Sequence, residues 1–187
     1  MAKERAPLMA GAQKHYDGLA ERLVRSGHAL DMFIAALDQT GVLEMQACVM
    51  RTGGTFVNCE IFDCDQFRQS YRRSLARSKR NGGLAFASAG SMRVRVSREL
   101  RVSGVIGHVS SLGEKEPNVS ENEVGVGGTA AWRLCAIEPT STYAVYFDVV
   151  NAHSNPIPPQ QLGMVQYQTQ YINGAGQHIL RITTTAR

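Results

Sequence analysis

The sequence predicts an α+β protein in two parts: an α/β layer over residues 1–78, followed by an antiparallel β-sandwich or barrel over residues 79–187. Three observations predict it. Apolar spacing in the first part repeats as helix, strand, helix, strand, helix. After Asn81-Gly82-Gly83 the apolar period changes from helical to two. From there on, Gly- and Pro-containing turns separate a succession of β segments.

Leu8, Met9, Ala12, Tyr16, Leu19, Ala20 and Leu23 recur at helical spacing, predicting a helix from about Pro7 to Ser26 that Gly27 ends. His28 to Leu37 reads as a strand buried on both faces, the type found in parallel sheets. Asp38 to Gly41 makes a turn, Val42 to Arg51 a short helix closed by Gly53-Gly54, and Thr55 to Ile61 a second strand. Asp63 with Gln66 three residues on is a capping-box pattern opening a helix through about Ser78. Two strands do not close an α/β sheet by themselves, which points to a piece of a larger protein.

In the second part, Met92, Val94 and Val96 alternate with Arg93, Arg95 and Ser97, predicting a half-exposed strand with a basic outer face. Leu100, Val102 and Val105-Ile106 continue the β pattern. Trp132, Leu134 and Ala136 form one face of another strand, and Tyr143, Val145, Phe147 and Val149 the inward face of the next. Val165, Tyr167, Thr169 and Tyr171 are expected to pair across an Asn173-Gly174-Ala175-Gly176 turn with Leu180, Ile182 and Thr184.

The hydrophobic content of 43% is ordinary for a chain that buries a core. No apolar run approaches the roughly 18 to 20 residues of a spanning helix, and the N-terminus lacks the apolar stretch of a secretory signal. The expectation is a cytosolic protein, in which Cys48, Cys59, Cys64 and Cys135 are reduced thiols. Cys59 and Cys64 raise the question of a zinc site; small buried thiols are the expectation, and no metal is assigned.

The net charge is +4, and its distribution says more than its size. Nine basic residues, Arg68, Arg72, Arg73, Arg77, Lys79, Arg80, Arg93, Arg95 and Arg98, occupy a span without a single carboxylate. Glutamates then cluster at positions 114, 116, 121 and 123. Gathered on one surface, the cations would attract anionic lipid at about 1 kcal/mol per basic residue. Nucleic acid is not expected, because only Tyr71 and Phe86 are at hand to stack on bases.

The glycines of Gly125 to Thr129 suggest a phosphate loop, but no lysine follows and the next element is a strand, so they are assigned to a turn with positive φ. Glu121 and Glu123 read as a solvated acidic loop rather than an acid–base pair. The histidines are scattered and no serine stands in a nucleophile elbow. No catalytic site is expected.

DQTGVLEM (Asp38–Met45), SRELRVSGVIG (Ser97–Gly107), SENEVGVGGTAAWRLC (Ser120–Cys135), VVNAHSNPIPP (Val149–Pro159) and the closing run from Gly163 to Arg187 together carry a resemblance. In order and spacing they resemble the Sec twenty-three family, the GTPase-activating subunits of the COPII inner coat, from about His15 to Arg187. The resemblance implies that residues 1–78 are the C-terminal part of a von Willebrand A-like α/β trunk, and residues 79–187 most of the β-sandwich domain. It implies a scaffold and adaptor in transport from the endoplasmic reticulum to the Golgi, cytoplasmic and peripheral on exit sites and vesicles. The implied partners are a Sec twenty-four-type cargo-binding subunit, a Sar-type small GTPase, the outer coat and an anionic membrane surface facing the basic span. The family's zinc module and its catalytic arginine finger lie outside the matched region, so neither a cofactor nor a catalytic residue is carried onto this chain. Two rivals remain: a paralogous cargo-binding subunit of the same domain order, and a free-standing basic β-domain that binds anionic lipid or RNA.

Overall fold

The computed structural model describes residues 2–79, 82–150 and 162–186. Helix α1 spans Ala2–Ser26, so Pro7 lies inside it rather than opening it; a proline near the N-terminal end costs little more than one backbone hydrogen bond. Its C-terminus is a Schellman cap. Gly27, at φ 69°, donates to Val24 O (3.1 Å), and His28 N–H reaches back to Leu23 O (3.0 Å). Helix α2, Val42–Thr52, also ends on a glycine with positive φ: Gly53 and Gly54 N–H both bond to Val49 O (3.0 and 3.3 Å). The two helices bury Ala20, Val24, Cys48 and Val49 between them and the rest of the chain. Thr52, fully buried, donates to Cys48 O (2.6 Å) and accepts from Leu30 N–H (3.1 Å), which ties the entry of the first strand to the end of α2.

Strands β1 (Met32–Ala35) and β2 (Phe56–Cys59) pair in parallel, Met32 opposite Phe56 and Ala35 opposite Cys59. The parallel pairing agrees with the sequence, but the expected ten-residue strand buried on both faces is four residues long and half-buried throughout. Burial of that kind needs a layer packed over each face of the sheet, and no residue of β1 reaches it. Helix α3, Asp65–Ser74, is capped by Cys64, not Asp63: the Cys64 sulfur accepts from Phe67 N–H (3.4 Å). Asp63 instead pairs with Arg68. The helix also stops short of Ser78, because Arg77 turns into an antiparallel bridge with Leu84.

The second part contains β3 (Ala87–Val96), β4 (Leu100–Ile106), β5 (Ser110–Ser111), β6 (Ala131–Ile137), β7 (Ala144–Val149), β8 (Met164–Ile172) and β9 (His178–Ala186). One antiparallel sheet runs β5-β6-β3-β8-β9 and faces a smaller one, β4-β7. Met92, Val94, Val102, Val105, Val109, Trp132 and Leu134 form the core between them, with Tyr143, Val145, Phe147, Val165 and Tyr167 packed around it. Trp132 is fully buried and donates its indole N–H to Val126 O (2.9 Å).

Strand β6 departs from simple alternation. Trp132, Leu134 and Ala136 face the core as expected, yet Ala131 and Cys135 on the opposite face are buried too. The helical layer covers Cys135, whose thiol points at Val24 O of α1 (3.9 Å), and Ser110 Oγ of β5 donates to Arg51 O of α2 (3.2 Å); Ala131 stands opposite Arg93 and accepts from Leu112 N–H (3.0 Å).

The β8–β9 register corrects the expected pairing. Tyr167 stands opposite Thr183, whereas Leu180 and Ile182 stand opposite Gln170 and Gln168. Residues directly opposite share a face, so Leu180 and Ile182 point outward, 59% and 55% exposed. The hairpin loop between Ile172 and His178 sets this register, and a one-residue difference exchanges the faces.

The segment before β6 lies along the free edge of β4. Val102 N–H bonds to Asn118 O (2.7 Å), Ser120 N–H to Val102 O (2.9 Å), Val124 N–H to Ser103 O (3.1 Å) and Val126 N–H to Val105 O (2.8 Å). Gly104, at φ 148°, makes this possible, since a Cβ there would collide with Val124 O. Asp148 of β7 fastens the same segment by accepting from the Ser120 hydroxyl and from Asn122 Nδ2 (3.1 Å). Those bonds, Ser120 first, hold its carboxyl below the usual carboxylate range.

Two predictions follow from these contacts. Trp132→Ala should cost about 3–5 kcal/mol in urea unfolding, and Leu180→Ser less than about 0.5 kcal/mol. A large loss at Leu180 would mean that β9 has the opposite register. Asp148 has a depressed folded pKa, so its contribution is complete above the unfolded value and is lost as pH falls through the folded one. Asp148→Asn should therefore be less stable than the parent at neutral pH, with the two converging as the medium is acidified below about pH 4. Parallel stability–pH curves would show that the carboxylate does not fasten the segment.

Candidate functional site

The basic span was the one functional feature legible in the sequence, and folding divides it. Because Met92 and Val94 of β3 face the core, Arg93 and Arg95 face outward. The chain after β5 brings acidic residues onto them, anchored where the Thr129 hydroxyl donates to Glu114 O (3.1 Å). Arg93 pairs with Glu114 and lies 3.8 Å from Glu116, and Arg95 lies 3.4 Å from Glu116. Glu116 is only 18% exposed, so this network is partly withdrawn from solvent. Arg98 pairs with its neighbour Glu99 (2.9 Å), and Arg68 with Asp63 and with Asp65 (3.6 Å).

Arg72, Arg73, Arg77 and Lys79 form the other group, at the end of α3 and the turn after it, all four exposed. Among the described residues none of them is ion-paired. Arg73 reaches the Thr140 hydroxyl (3.4 Å) and Arg77 donates to Gly82 O (2.9 Å), neutral contacts that leave their charge uncompensated. Arg80 lies outside the described residues. The sequence pointed to nine cations; the fold gives four of them over to carboxylates and keeps four free. The missed signal is the acidic partner, 21 residues distant from Arg93 and Arg95 in the chain.

The remaining sequence features resolve as structure. Gly125 and Gly128 adopt φ 62° and 68°, the turn conformations expected of them, and a Cβ at Gly125 would strike Val105 O of β4. Glu121 and Glu123 are exposed. Cys48 is buried and donates to Tyr16 O (3.4 Å), away from Cys59 and Cys64, and among the described residues no three His, Cys, Asp or Glu side chains gather as a metal site. A cleft of 530 Å³ opens beside the larger sheet, lined by Phe86, Met92, Leu134, Tyr143 and Tyr171 among others. Its lining includes neither histidine nor cysteine. No described helix is long and apolar enough to cross a membrane.

Residues 1–78 match the family model of the Sec23/Sec24 trunk domain, and residues 87–187 that of the Sec23/Sec24 beta-sandwich domain. Among solved structures, the chain is similar to the human COPII-coat protein Sec24c, with a TM-score of 0.66 and 22% identity over 92% of this chain. At that identity the likeness is one of fold. The chain spans 20% of the length of that structure's chain. With both of its parts matched in order, the chain belongs to the Sec23/Sec24 family.

Proposed function

We propose that this chain is a structural and adaptor segment of a COPII inner-coat subunit, of the GTPase-activating rather than the cargo-binding type, acting in transport from the endoplasmic reticulum to the Golgi. The observation that carries the structural role is the seam between the two family domains. Helix α1 is fastened onto β6 through Val24–Cys135 and α2 onto β5 through Arg51–Ser110, so that the two parts brace one another. A braced pair of domains suits a coat, which must hold partners at fixed separations. The activating type is favoured by the segments Ser120–Cys135 and Val149–Pro159, whose residues resemble that branch of the family. An arginine finger contributes about 10³ to 10⁵ in rate; none is assigned to these residues, so the segment binds and positions rather than hydrolyses. Its partners are then a cargo-binding coat subunit, a Sar-type small GTPase and, through the rest of such a subunit, the outer coat.

The membrane-facing part of the proposal rests on Arg72, Arg73, Arg77 and Lys79, which among the described residues of the basic span have no carboxylate partner. Arg93 and Arg95 contribute little, because Glu114 and Glu116 already compensate them.

Two measurements test these readings. In size-exclusion chromatography, the chain should elute with a purified cargo-binding subunit and not with an activating one; the reverse result would assign it to the cargo-binding branch. In flotation with vesicles containing phosphatidylserine, Arg72→Glu, Arg73→Glu and Arg77→Glu together should lower partitioning by about a hundredfold or more, at about 1 kcal/mol per basic residue. Arg93→Gln with Arg95→Gln should change it little, and added salt should weaken the parent's binding. Unchanged flotation of the triple variant would remove the membrane role and leave the coat role standing.

A further inference from the structure

Cys59 ends β2 and Cys64 caps α3, so the short return between the two elements brings both sulfurs to one corner of the α/β layer. Each is held by its own backbone contact. The Cys59 thiol donates to Ile34 O on β1 (3.3 Å), and the Phe67 amide donates to the Cys64 sulfur (3.4 Å). The corner is kept closed by Gln66 Nε2 donating to Asn58 O (3.5 Å) and by the edge-to-face contact of Phe33 with Phe67 (5.8 Å between centroids). Cys64 is the titratable neighbour that acts on the Cys59 thiol. Both thiols are half-exposed, whereas Cys48 and Cys135 are 1% exposed and bonded to helix carbonyls. Among the described residues no further ligand completes a metal group around the pair, which favours two-sulfur chemistry over a four-coordinate ion.

We propose that Cys59 and Cys64 are a redox-active dithiol that reacts with low-molecular-weight disulfides of the glutathione type and closes to an intramolecular disulfide. In the first step the Cys64 thiolate attacks one sulfur of glutathione disulfide. A Cys64–glutathione bond forms, the S–S bond of the reagent breaks, and one glutathione thiolate leaves and takes up the proton Cys64 released. In the second step Cys59 loses its proton and attacks the Cys64 sulfur, expelling the second glutathione thiolate, which that proton neutralises. Two protein thiols are oxidised and one glutathione disulfide is reduced to two glutathione thiols. The order follows from the contacts. Cys64 accepts the Phe67 N–H (3.4 Å) and, among the described residues, donates to no backbone carbonyl, whereas the Cys59 thiol is tied to Ile34 O. Burial first, and then the neighbouring Cys64, pushes the Cys59 thiol up, so Cys59 keeps its proton until the mixed disulfide is beside it.

The test uses the full chain, reduced, placed natively in glutathione redox buffers, acid-quenched, alkylated and mapped by mass spectrometry. The expected product is a Cys59–Cys64 linkage reversed by dithiothreitol, with Cys48 and Cys135 still alkylated. Cys59→Ser should stop at glutathione attached to Cys64. Phenylarsine oxide, which needs two neighbouring thiols, should bind the parent about a hundredfold or more tighter than Cys59→Ser or Cys64→Ser, because the second sulfur is supplied intramolecularly. Serine is itself a good N-cap, so Cys64→Ser keeps α3 in place. Four free thiols at every glutathione ratio, or arsenical binding indifferent to both substitutions, would overturn the proposal. Linkage of either thiol to Cys48 or Cys135 in equal yield would do the same.

Discussion

Trp132 and Cys135 leave the same strand in opposite directions, and a different half of the chain seals each from solvent. On the core side, Trp132 fills the space between the sheets and spends its one polar group on Val126 O, so that a large apolar ring is buried with no unsatisfied donor. On the other side, Cys135 is small enough for α1 to lie close against the sheet. Gly53, at the end of α2, is close too: a Cβ there would approach Ala136 O to 2.8 Å. Bulkier side chains on that face of β6 would push the helical layer away and uncouple the two family domains.

The α/β layer depends on this seam, because its own sheet cannot sustain it. An isolated two-stranded sheet is marginal in water, and among the described residues β1 and β2 have only each other. What holds them is indirect. Thr52 bonds Leu30 to the end of α2, Asp31 accepts from Thr55 N–H (2.7 Å), and α2 is fixed to the sandwich beside β6. The sandwich meets a similar shortage differently. Its smaller sheet has two strands, but the Asn118–Val126 segment supplies backbone partners along β4, and Asp148 fastens that segment from β7. The glycine-rich sequence that resembled a phosphate loop is thus the price of laying one backbone directly against another.

Local signals in the sequence carried most of the fold. Gly27 and Gly53 marked helix ends because only a residue at ease with positive φ closes a left-handed cap. Met92, Val94 and Val96 marked β3 because one of its faces meets a core. The readings that failed depended on distant partners. Nothing near Asp63 indicates that it prefers Arg68 to the helix amides, leaving the cap to a cysteine sulfur. Nothing near Leu180 indicates the register that turns it outward. The basic span could be found from composition, but its division into compensated and free charges depends on where Glu114 and Glu116 come to rest, which only the folded chain decides.

That division bears on how a charged surface acquires direction. Had all nine cations stayed open, attraction to an anionic surface would be diffuse, and many orientations of the molecule would be nearly equivalent. Pairing Arg68, Arg93, Arg95 and Arg98 with nearby carboxylates withdraws those positions, and it does so without removing the arginine stems that cover the sheet. Arg72, Arg73, Arg77 and Lys79 are left at one end of a short helix, where their fields add within a Debye length of about 8 Å. Cys59 and Cys64 lie at the opposite end of the same helix. A helix of ten residues is too short to be stable apart from its contacts, so the cap at one end and the charges at the other share a dependence on the packing of α3 against β1 and β2.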